Sequence, residues 1–328
     1  MPASALDGLN LDSITGLRCQ RDGRVLTLCF DDPPRNYLTP ALVKTLERIV
    51  RRLHHDRSIG TVILTGAGNQ AFSTHFHPDA VGPTASSFSF ALSARSARFA
   101  LALARPLSRV APLASVLGRT PAAGLLHLER LRQLHLGMSS APQVFIAAVN
   151  GAVMGASLEL ALACDIRLAA EGTYPVGFTE AHFGISLPAG GARRLAQIVG
   201  PARALELLLE GTVLEPEQAH RLGLFERLVE HTELMPQARA TAARLARRAP
   251  ASVQAYKAAV HRGLTQPLPA ALRLEQAFFA AAASRRQAQR AMRTYAQQLS
   301  ALGDRPFDRE AILGPWERGE MADVVGKA

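Results

Sequence analysis

The sequence predicts an α/β fold in which pairs of strands alternate with helices, followed by a helical C-terminal region. Leu17 to Phe30 contains two strand-like runs around Asp22-Gly23, a dipeptide typical of tight hairpin turns. A helix is predicted after Thr39-Pro40, because this pair is typical of a helix start and apolar residues then recur at helical spacing. Strand Thr61 to Thr65 follows, which completes a β-β-α-β order.

Composition indicates an ordinary globular protein. A chain of 328 residues with 48% hydrophobic residues can bury a sizeable core, as one large domain or as a domain with an appendage. Its cysteines, Cys19, Cys29 and Cys164, lie outside any spacing typical of disulfide frameworks or zinc sites. We expect a cytoplasmic protein, because the sequence has neither a secretory leader pattern nor 18 uninterrupted apolar residues.

The central segment from Val149 to Asp165, VNGAVMGASLELALACD, carries the strongest functional signal. After a buried strand and an Asn150-Gly151 turn, small residues begin an apolar helix whose one acid is Glu159. A buried carboxylate needs a partner or a proton, which favours a functional role over the alternative of an acid stabilised by the helix dipole. The small residues Gly155-Ala156-Ser157 would let backbone N–H groups at the helix start face an anion.

Three motifs in order resemble the crotonase (enoyl-CoA hydratase/isomerase) superfamily. The central segment resembles the family pattern VNG-x-x-x-GGG-x-ELA-x-x-CD, and FSTHFHPD, which begins at Phe72, stands in the place of F-x-A-G-x-D. GFTEAHFG, which contains Glu180, resembles FG-x-PE-x-x-x-G. The chain departs from these patterns where His75 replaces a glycine and His77 replaces an aspartate.

The resemblance implies a crotonase-like spiral of ββα repeats over residues 1–230, followed by a C-terminal helical region over residues 231–328. It also implies that the backbone N–H groups of Thr74 and Ala156 form an oxyanion hole, and that Glu159 and Glu180 are the catalytic acids. The residues implied to contact coenzyme A or substrate are Arg35, Asn36, His75, Phe76 and His77.

The function implied by the resemblance is syn addition of water to a 2-enoyl-CoA, in which coenzyme A is part of the substrate and no metal or other cofactor is required. Retention of both glutamates favours a hydratase. An enoyl-CoA isomerase and another acyl-CoA reaction, such as thioester hydrolysis, remain alternatives, and so does a scaffold without catalytic activity. The pair His75 and His77 could hold a metal with a third ligand, but spacing alone argues weakly for one and we expect none.

Partners follow from charge and from the resemblance. The formal net charge of +10 suits a polyanion, which could be nucleic acid or a phosphate-bearing small molecule. A basic nucleic-acid-binding protein on the same scaffold is the alternative of another class, although the sequence contains no RNA-binding signature. We therefore expect an acyl-CoA substrate, no nucleic acid and no membrane span. The resemblance also implies a homotrimer or a dimer of trimers.

Two segments are less like the family. An Ala- and Arg-rich insertion at about 82–120 contains no acid, and its role as a lid or partner contact, a disordered spacer or a membrane-surface attachment stays open. Its residues Phe88, Phe90 and Phe99 could line an acyl pocket. Leu272 to Tyr295 predicts one long amphipathic helix with an apolar core stripe and a basic face, whose arginines could alternatively contact coenzyme A phosphates.

Overall fold

A computed structural model of the chain describes residues 15–33, 35–77, 93–108, 123–302, 310 and 313–318. The first hairpin has the predicted turn: β1 (Gly16–Asp22) and β2 (Val25–Asp31) are antiparallel, with Asp22 opposite Val25. Helix α1 (Pro40–Leu53) begins as expected, because the Thr39 hydroxyl accepts a hydrogen bond from the Leu42 N–H at 3.2 Å.

The described residues form two sheets. The six-stranded sheet has the order β1-β2-β3-β5-β7-β10 and the four-stranded sheet has the order β4-β6-β8-β9. All neighbouring strands are parallel except the pairs β1/β2 and β8/β9. The remaining strands are β3 (Thr61–Gly66), β4 (Ala71–Ser73), β5 (Val144–Val149), β6 (Ala152–Met154), β7 (Ile166–Ala170), β8 (Val176–Gly177), β9 (Val213–Leu214) and β10 (Arg227–Val229).

Helices cover both faces of the larger sheet. The described helices after α1 are α2 (Ala94–Ser108), α3 (Ala123–Ser140), α4 (Gly155–Ala163), α5 (Gly191–Val199), α6 (Pro201–Leu209), α7 (Pro216–Arg221), α8 (His231–Leu245), α9 (Pro250–Ala258), α10 (Leu268–Ala283), α11 (Arg286–Leu302) and α12 (Gly314–Arg318). A 3-10 turn spans Glu180–Phe183, and a π-helical turn spans Ala259–Gly263. Within the described ranges, no helix has the length and apolar character needed to cross a membrane.

The central strands are buried on both sides, because successive residues of a strand point to opposite faces. Val62 and Leu64 of β3 belong to the main core, which also contains residues of α1, α3 and α4. Ile63, between them, belongs to a second cluster with Ile146 of β5 and Leu234 of α8. This arrangement explains why β3 and β5 are continuous apolar runs rather than alternating ones. It also fixes the position of the carboxyl end of β5, where the central segment from Val149 to Asp165 begins.

The C-terminal prediction of one helix over Leu272 to Tyr295 is wrong. The chain turns at Ser284 and Arg285, between α10 and α11, where the Ser284 hydroxyl donates to the carbonyl oxygen of Ala281 at 3.0 Å. Serine side chains compete in this way with helix continuation. The expected core stripe is also missing from α10, because none of its residues is buried and Phe279 is 74% exposed.

The insertion is described only in part. Its residues 93–108 contain α2, which packs against α3, and Phe99 of that helix is 68% exposed. Phe88 and Phe90, which were candidates for an acyl pocket, lie outside the described residues, and so do the remaining residues of the insertion.

Candidate active site

Glu159 lies on α4, every residue of which is buried, and its own exposed fraction is 0%. Its Oε1 atom accepts two backbone hydrogen bonds, from the Ala189 N–H at 2.9 Å and from the Gly191 N–H at 2.7 Å. Its Oε2 atom is buried and has no hydrogen-bond partner in the described part of the chain. One oxygen is therefore anchored and the other is left for a ligand or a proton.

The surroundings of Glu159 favour its protonated form. Burial raises the pKa of Glu159 to about 7, while the hydrogen bonds from Gly191 and Ala189 oppose that rise. The negative charge of Glu180 raises the pKa further, and the positive charge of Arg194 lowers it. A carboxyl group with a pKa near neutrality can accept or donate a proton at physiological pH, as general acid–base catalysis requires.

Glu180 begins the 3-10 turn Glu180–Phe183 and faces the start of α4. Its Oε1 atom lies 2.5 Å from the position that a Cβ atom on Gly155 would take, so a glycine at that position is required for this approach. Its Oε2 atom is buried and, among the described residues, unpartnered. Burial raises the pKa of Glu180, while the charge of His75 lowers it. The two predicted acids therefore approach the same helix start.

The two segments predicted to form an oxyanion hole are joined by hydrogen bonds. The Met154 N–H donates to the carbonyl oxygen of Thr74 at 2.7 Å, just before α4. The hydroxyl oxygens of Ser73 and Ser157 lie 2.8 Å apart, and both side chains are fully buried. Nothing in the sequence indicates this serine pair, because two small polar residues 84 positions apart give no signal of contact.

The predicted oxyanion donors differ in availability. The Thr74 N–H was expected to be available to a ligand, but it donates to the carbonyl oxygen of Arg35 at 3.1 Å. Ala156 is the second residue of α4, within the first four N–H groups that have no acceptor inside a helix. The Ala156 N–H thus remains the stronger candidate, and a ligand oxygen would have to share or replace the Thr74 bond.

Asn36, which the resemblance implies to contact coenzyme A or substrate, has a side chain with an exposed fraction of 0% that makes structural hydrogen bonds. Its Nδ2 atom donates to the carbonyl oxygens of Ala67 at 3.1 Å and Ala71 at 2.9 Å. Its Oδ1 atom accepts from the Asp32 N–H at 3.0 Å. Asn36 also has a φ of +50°, a left-handed conformation that asparagine tolerates better than most residues. These bonds hold the loop that carries Arg35.

The other residues expected to contact coenzyme A or substrate lie near one another. Arg35 donates to the Tyr37 hydroxyl at 2.8 Å, and the Tyr37 ring lies 5.1 Å from the ring of His75 and 4.7 Å from that of His77. Phe76 points to the core instead, where its ring lies 4.8 Å from that of His127. In the described part of the chain, no three His, Cys, Asp or Glu side chains form a group that could hold a metal ion.

These contacts define a crotonase-fold α/β protein in which two acids with raised pKa values lie beside a helix start. The sequence profile of the family described as "Enoyl-CoA hydratase/isomerase" matches residues 111–302. The chain therefore belongs to the enoyl-CoA hydratase/isomerase family of the crotonase superfamily.

Relatives and solved structures agree with this assignment. The chain is 27% identical over 261 residues to a short-chain-enoyl-CoA hydratase of Clostridium acetobutylicum. The aligned region covers 79% of this chain and 86% of that protein. It is similar to an enoyl-CoA hydratase/carnithine racemase structure from Magnetospirillum magneticum, with a TM-score of 0.64, 26% identity and coverage of 88% and 93% of the two chains. An enoyl-CoA hydratase structure from Bacillus anthracis shares the fold with a TM-score of 0.68, at 24% identity and coverage of 86% and 96%.

Proposed function

We propose that this protein is an enoyl-CoA hydratase that adds water to the double bond of a 2-enoyl-CoA thioester. The observation that carries the proposal is the pair of acids, Glu159 and Glu180, each with one buried oxygen that has no partner among the described residues. A buried carboxyl oxygen without a partner costs free energy unless a ligand uses it. Two such oxygens beside a helix start suit a reaction that moves protons and stabilises an anion.

In the proposed reaction the two acids share one proton. The ionised acid takes a proton from water as the water oxygen forms a bond to C3 of the enoyl group. The protonated acid gives its proton to C2, so that the elements of water are added and the pair again holds one proton. The raised pKa of both groups supports this arrangement, because it keeps a proton on the pair near pH 7. One acid pair would deliver both groups from one side, hence syn addition.

The thioester oxygen gains negative charge during this reaction. We propose that it binds the Ala156 N–H and, after displacing or sharing the Arg35 carbonyl oxygen, the Thr74 N–H. Preorganised N–H donors of this kind contribute on the order of 3 kcal/mol each to stabilising the transition state. The exposed Arg35, with His75 and His77 around Tyr37, would then face the coenzyme A portion, where the guanidinium can bind phosphate oxygens.

The first test is hydration of 2-enoyl-CoA substrates of short, medium and long chain, followed by loss of the conjugated thioester absorbance. We expect Glu159→Gln and Glu180→Gln each to lower kcat by about 10²- to 10⁴-fold, as loss of a general acid or base does. Glu217→Gln is the matched control, because this glutamate is exposed and its ion-pair oxygen lies 3.9 Å from Arg221. A wild-type protein that hydrates none of these substrates would exclude the proposal.

An isomerase is the second candidate, and the same pair of acids supports it, since moving a double bond needs one group to remove a proton and one to return it. The family to which the chain belongs includes both activities by its description. Supplying a 3-enoyl-CoA distinguishes them: an isomerase would generate the conjugated absorbance that a hydratase removes. Activity on 3-enoyl-CoA alone would replace the hydratase proposal.

We also propose that the protein acts as a homotrimer or a dimer of trimers. The support is α10, whose Leu268, Leu272 and Phe279 are exposed in the single chain, because contiguous exposed apolar residues typically mark an interface. Light scattering coupled to gel filtration should give a multiple of three times the chain mass. Leu272→Glu with Phe279→Glu should lower that mass, whereas Ala277→Glu, an exposed position on the opposite side of the same helix, should not. A monomeric wild-type protein would contradict the proposal.

A further inference from the structure

The carboxylate of Glu159 is held by a short loop, and that loop is held in turn by an arginine. Ala189 donates its N–H to Glu159 Oε1 at 2.9 Å, and its carbonyl oxygen accepts from Arg194 Nη1 at 2.9 Å. The backbone N–H and carbonyl groups of Ala189 therefore link the carboxylate of Glu159 to the guanidinium of Arg194. Gly191, which supplies the second N–H to Glu159, begins α5, the helix that carries Arg194.

Arg194 has a second polar contact on another helix. Its Nη1 atom lies 3.3 Å from Nδ1 of His135, a residue of α3 whose exposed fraction is 3%. A guanidinium has only donors, so Nδ1 must be the acceptor in this contact and the imidazole proton must be on Nε2. The ring has to be neutral for this contact, since a protonated imidazole would place two cations together.

The surroundings keep His135 in that neutral form. Burial lowers the pKa of His135 to about 3, and the positive charge of Arg194 contributes in the same direction. The imidazole thus remains an acceptor over the whole pH range in which the enzyme would work. Its Nε2 atom is buried without a hydrogen-bond partner among the described residues, so the contact with Arg194 is the polar bond that orients the ring.

We propose that Arg194, oriented by the neutral imidazole of His135, is a positioning residue that holds the Ala189–Gly191 loop and thereby sets the orientation of the Glu159 carboxylate. This inference deepens the proposed hydratase function and rests on it for its catalytic meaning. The link between the three side chains is a matter of geometry and exists whichever reaction the acids perform.

The positive charge of Arg194 also affects the pKa of Glu159, in addition to the positioning of the loop. The groups that face Glu159 are Glu180 from the 3-10 turn and Arg194 from α5, with neutral His135 behind Arg194 on α3. Cys164 directly follows α4, the helix that carries Glu159. Burial raises the pKa of the Cys164 thiol above its usual range, so the thiol is neutral and adds no charge. The backbone hydrogen bonds of Gly191 and Ala189 oppose the effect of burial most, and the positive charge of Arg194 adds to them, so its removal should raise the pKa of Glu159 above about 7.

The test measures the protonation of Glu159 directly, apart from activity. Infrared difference spectra against Glu159→Gln identify the carboxyl band of Glu159, and its pH titration gives the midpoint. In the full-length protein we expect Arg194→Met to raise this midpoint, because an opposite charge has been removed and the loop that supplies the Ala189 and Gly191 hydrogen bonds has lost its anchor. We also expect a fall in kcat of tenfold to about a hundredfold from the misplaced acid, with KM little changed.

His135 is tested by a pair of variants. His135→Leu removes the acceptor, and we expect it to shift the Glu159 midpoint and kcat in the same direction as Arg194→Met. His135→Asn places an amide oxygen close to the position of Nδ1, so it should restore most of both quantities. Arg193→Met is the matched control: Arg193 precedes Arg194, is exposed and, within the described part of the chain, bonds to Gln197 of its own helix. It should leave the midpoint unchanged.

Three outcomes separate the possibilities. An unchanged Glu159 midpoint in folded Arg194→Met and His135→Leu overturns the inference, and so does a His135→Asn variant as impaired as His135→Leu. If Arg194→Met does not fold, the His135 pair decides by the same criteria. If the midpoints shift as expected while the wild type hydrates no enoyl-CoA, the proposed function fails and the positioning role stands.

Discussion

Replacing Glu159 by glutamine should stabilise the folded protein by about 3 kcal/mol at pH 8 and by close to nothing at pH 4.5. The native carboxyl group has a pKa of about 7, raised from its ordinary 4.5 mainly by burial. Between these two values the folded state holds a proton that the unfolded state has lost. Stability therefore declines as pH rises from 4.5 to 7, and the full penalty of the buried charge is present above pH 7.

Glutamine removes that penalty while it keeps the hydrogen bonds. Its amide oxygen can accept from Ala189 and Gly191 as Oε1 of Glu159 does, and its amide nitrogen takes the place of the unpartnered Oε2. Urea unfolding at pH 4.5 and pH 8 measures the difference, with the exposed Glu217→Gln as control. An equal effect at both pH values would show that Glu159 is not held with a raised pKa.

The replacement of Gly155 by alanine should lower kcat by about a hundredfold, because it displaces the second acid. The new Cβ atom would lie 2.5 Å from Glu180 Oε1, a distance that side chains do not tolerate. Gly155 also has a φ of +51°, so alanine adds backbone strain of about 1 kcal/mol. Steady-state kinetics and urea unfolding together separate these two effects.

Gly23 provides the control for the strain. It lies in the β1/β2 hairpin with a φ of +54°, and a Cβ atom there would meet nothing within 4 Å. Gly23→Ala should therefore cost a similar free energy of unfolding and leave kcat unchanged. If Gly155→Ala were as active as Gly23→Ala, the approach of Glu180 to the start of α4 would not matter for catalysis.

The sequence predicted the parts of the fold and site that depend on local pattern. The hairpin, α1 and the central strands follow from turn residues and apolar spacing, and the family motifs identify Glu159 and Glu180 as candidate acids. The role of Asn36 could not be predicted, because its acceptors at Ala67 and Ala71 are 31 and 35 residues away. A motif position does not reveal whether a side chain faces a ligand or the interior.

Other features lie beyond sequence patterns for related reasons. The contact between His135 and Arg194 joins residues 59 positions apart on different helices, and neither residue is unusual in its local sequence. The smaller sheet consists of strands of two or three residues, too short for any periodicity to indicate them. The break at Ser284 and Arg285 falls in an alanine-rich segment that contains neither glycine nor proline, so no residue of the usual helix-breaking types indicates it.

The hydroxyl contact between Ser73 and Ser157 has a consequence for folding. It connects strand β4 with helix α4 through two residues 84 positions apart, so the two halves of the site come together only after a long stretch of chain has closed. Partly folded forms that contain only local structure would lack the site altogether. Recovery of activity during refolding would therefore report completion of the overall topology rather than the appearance of secondary structure.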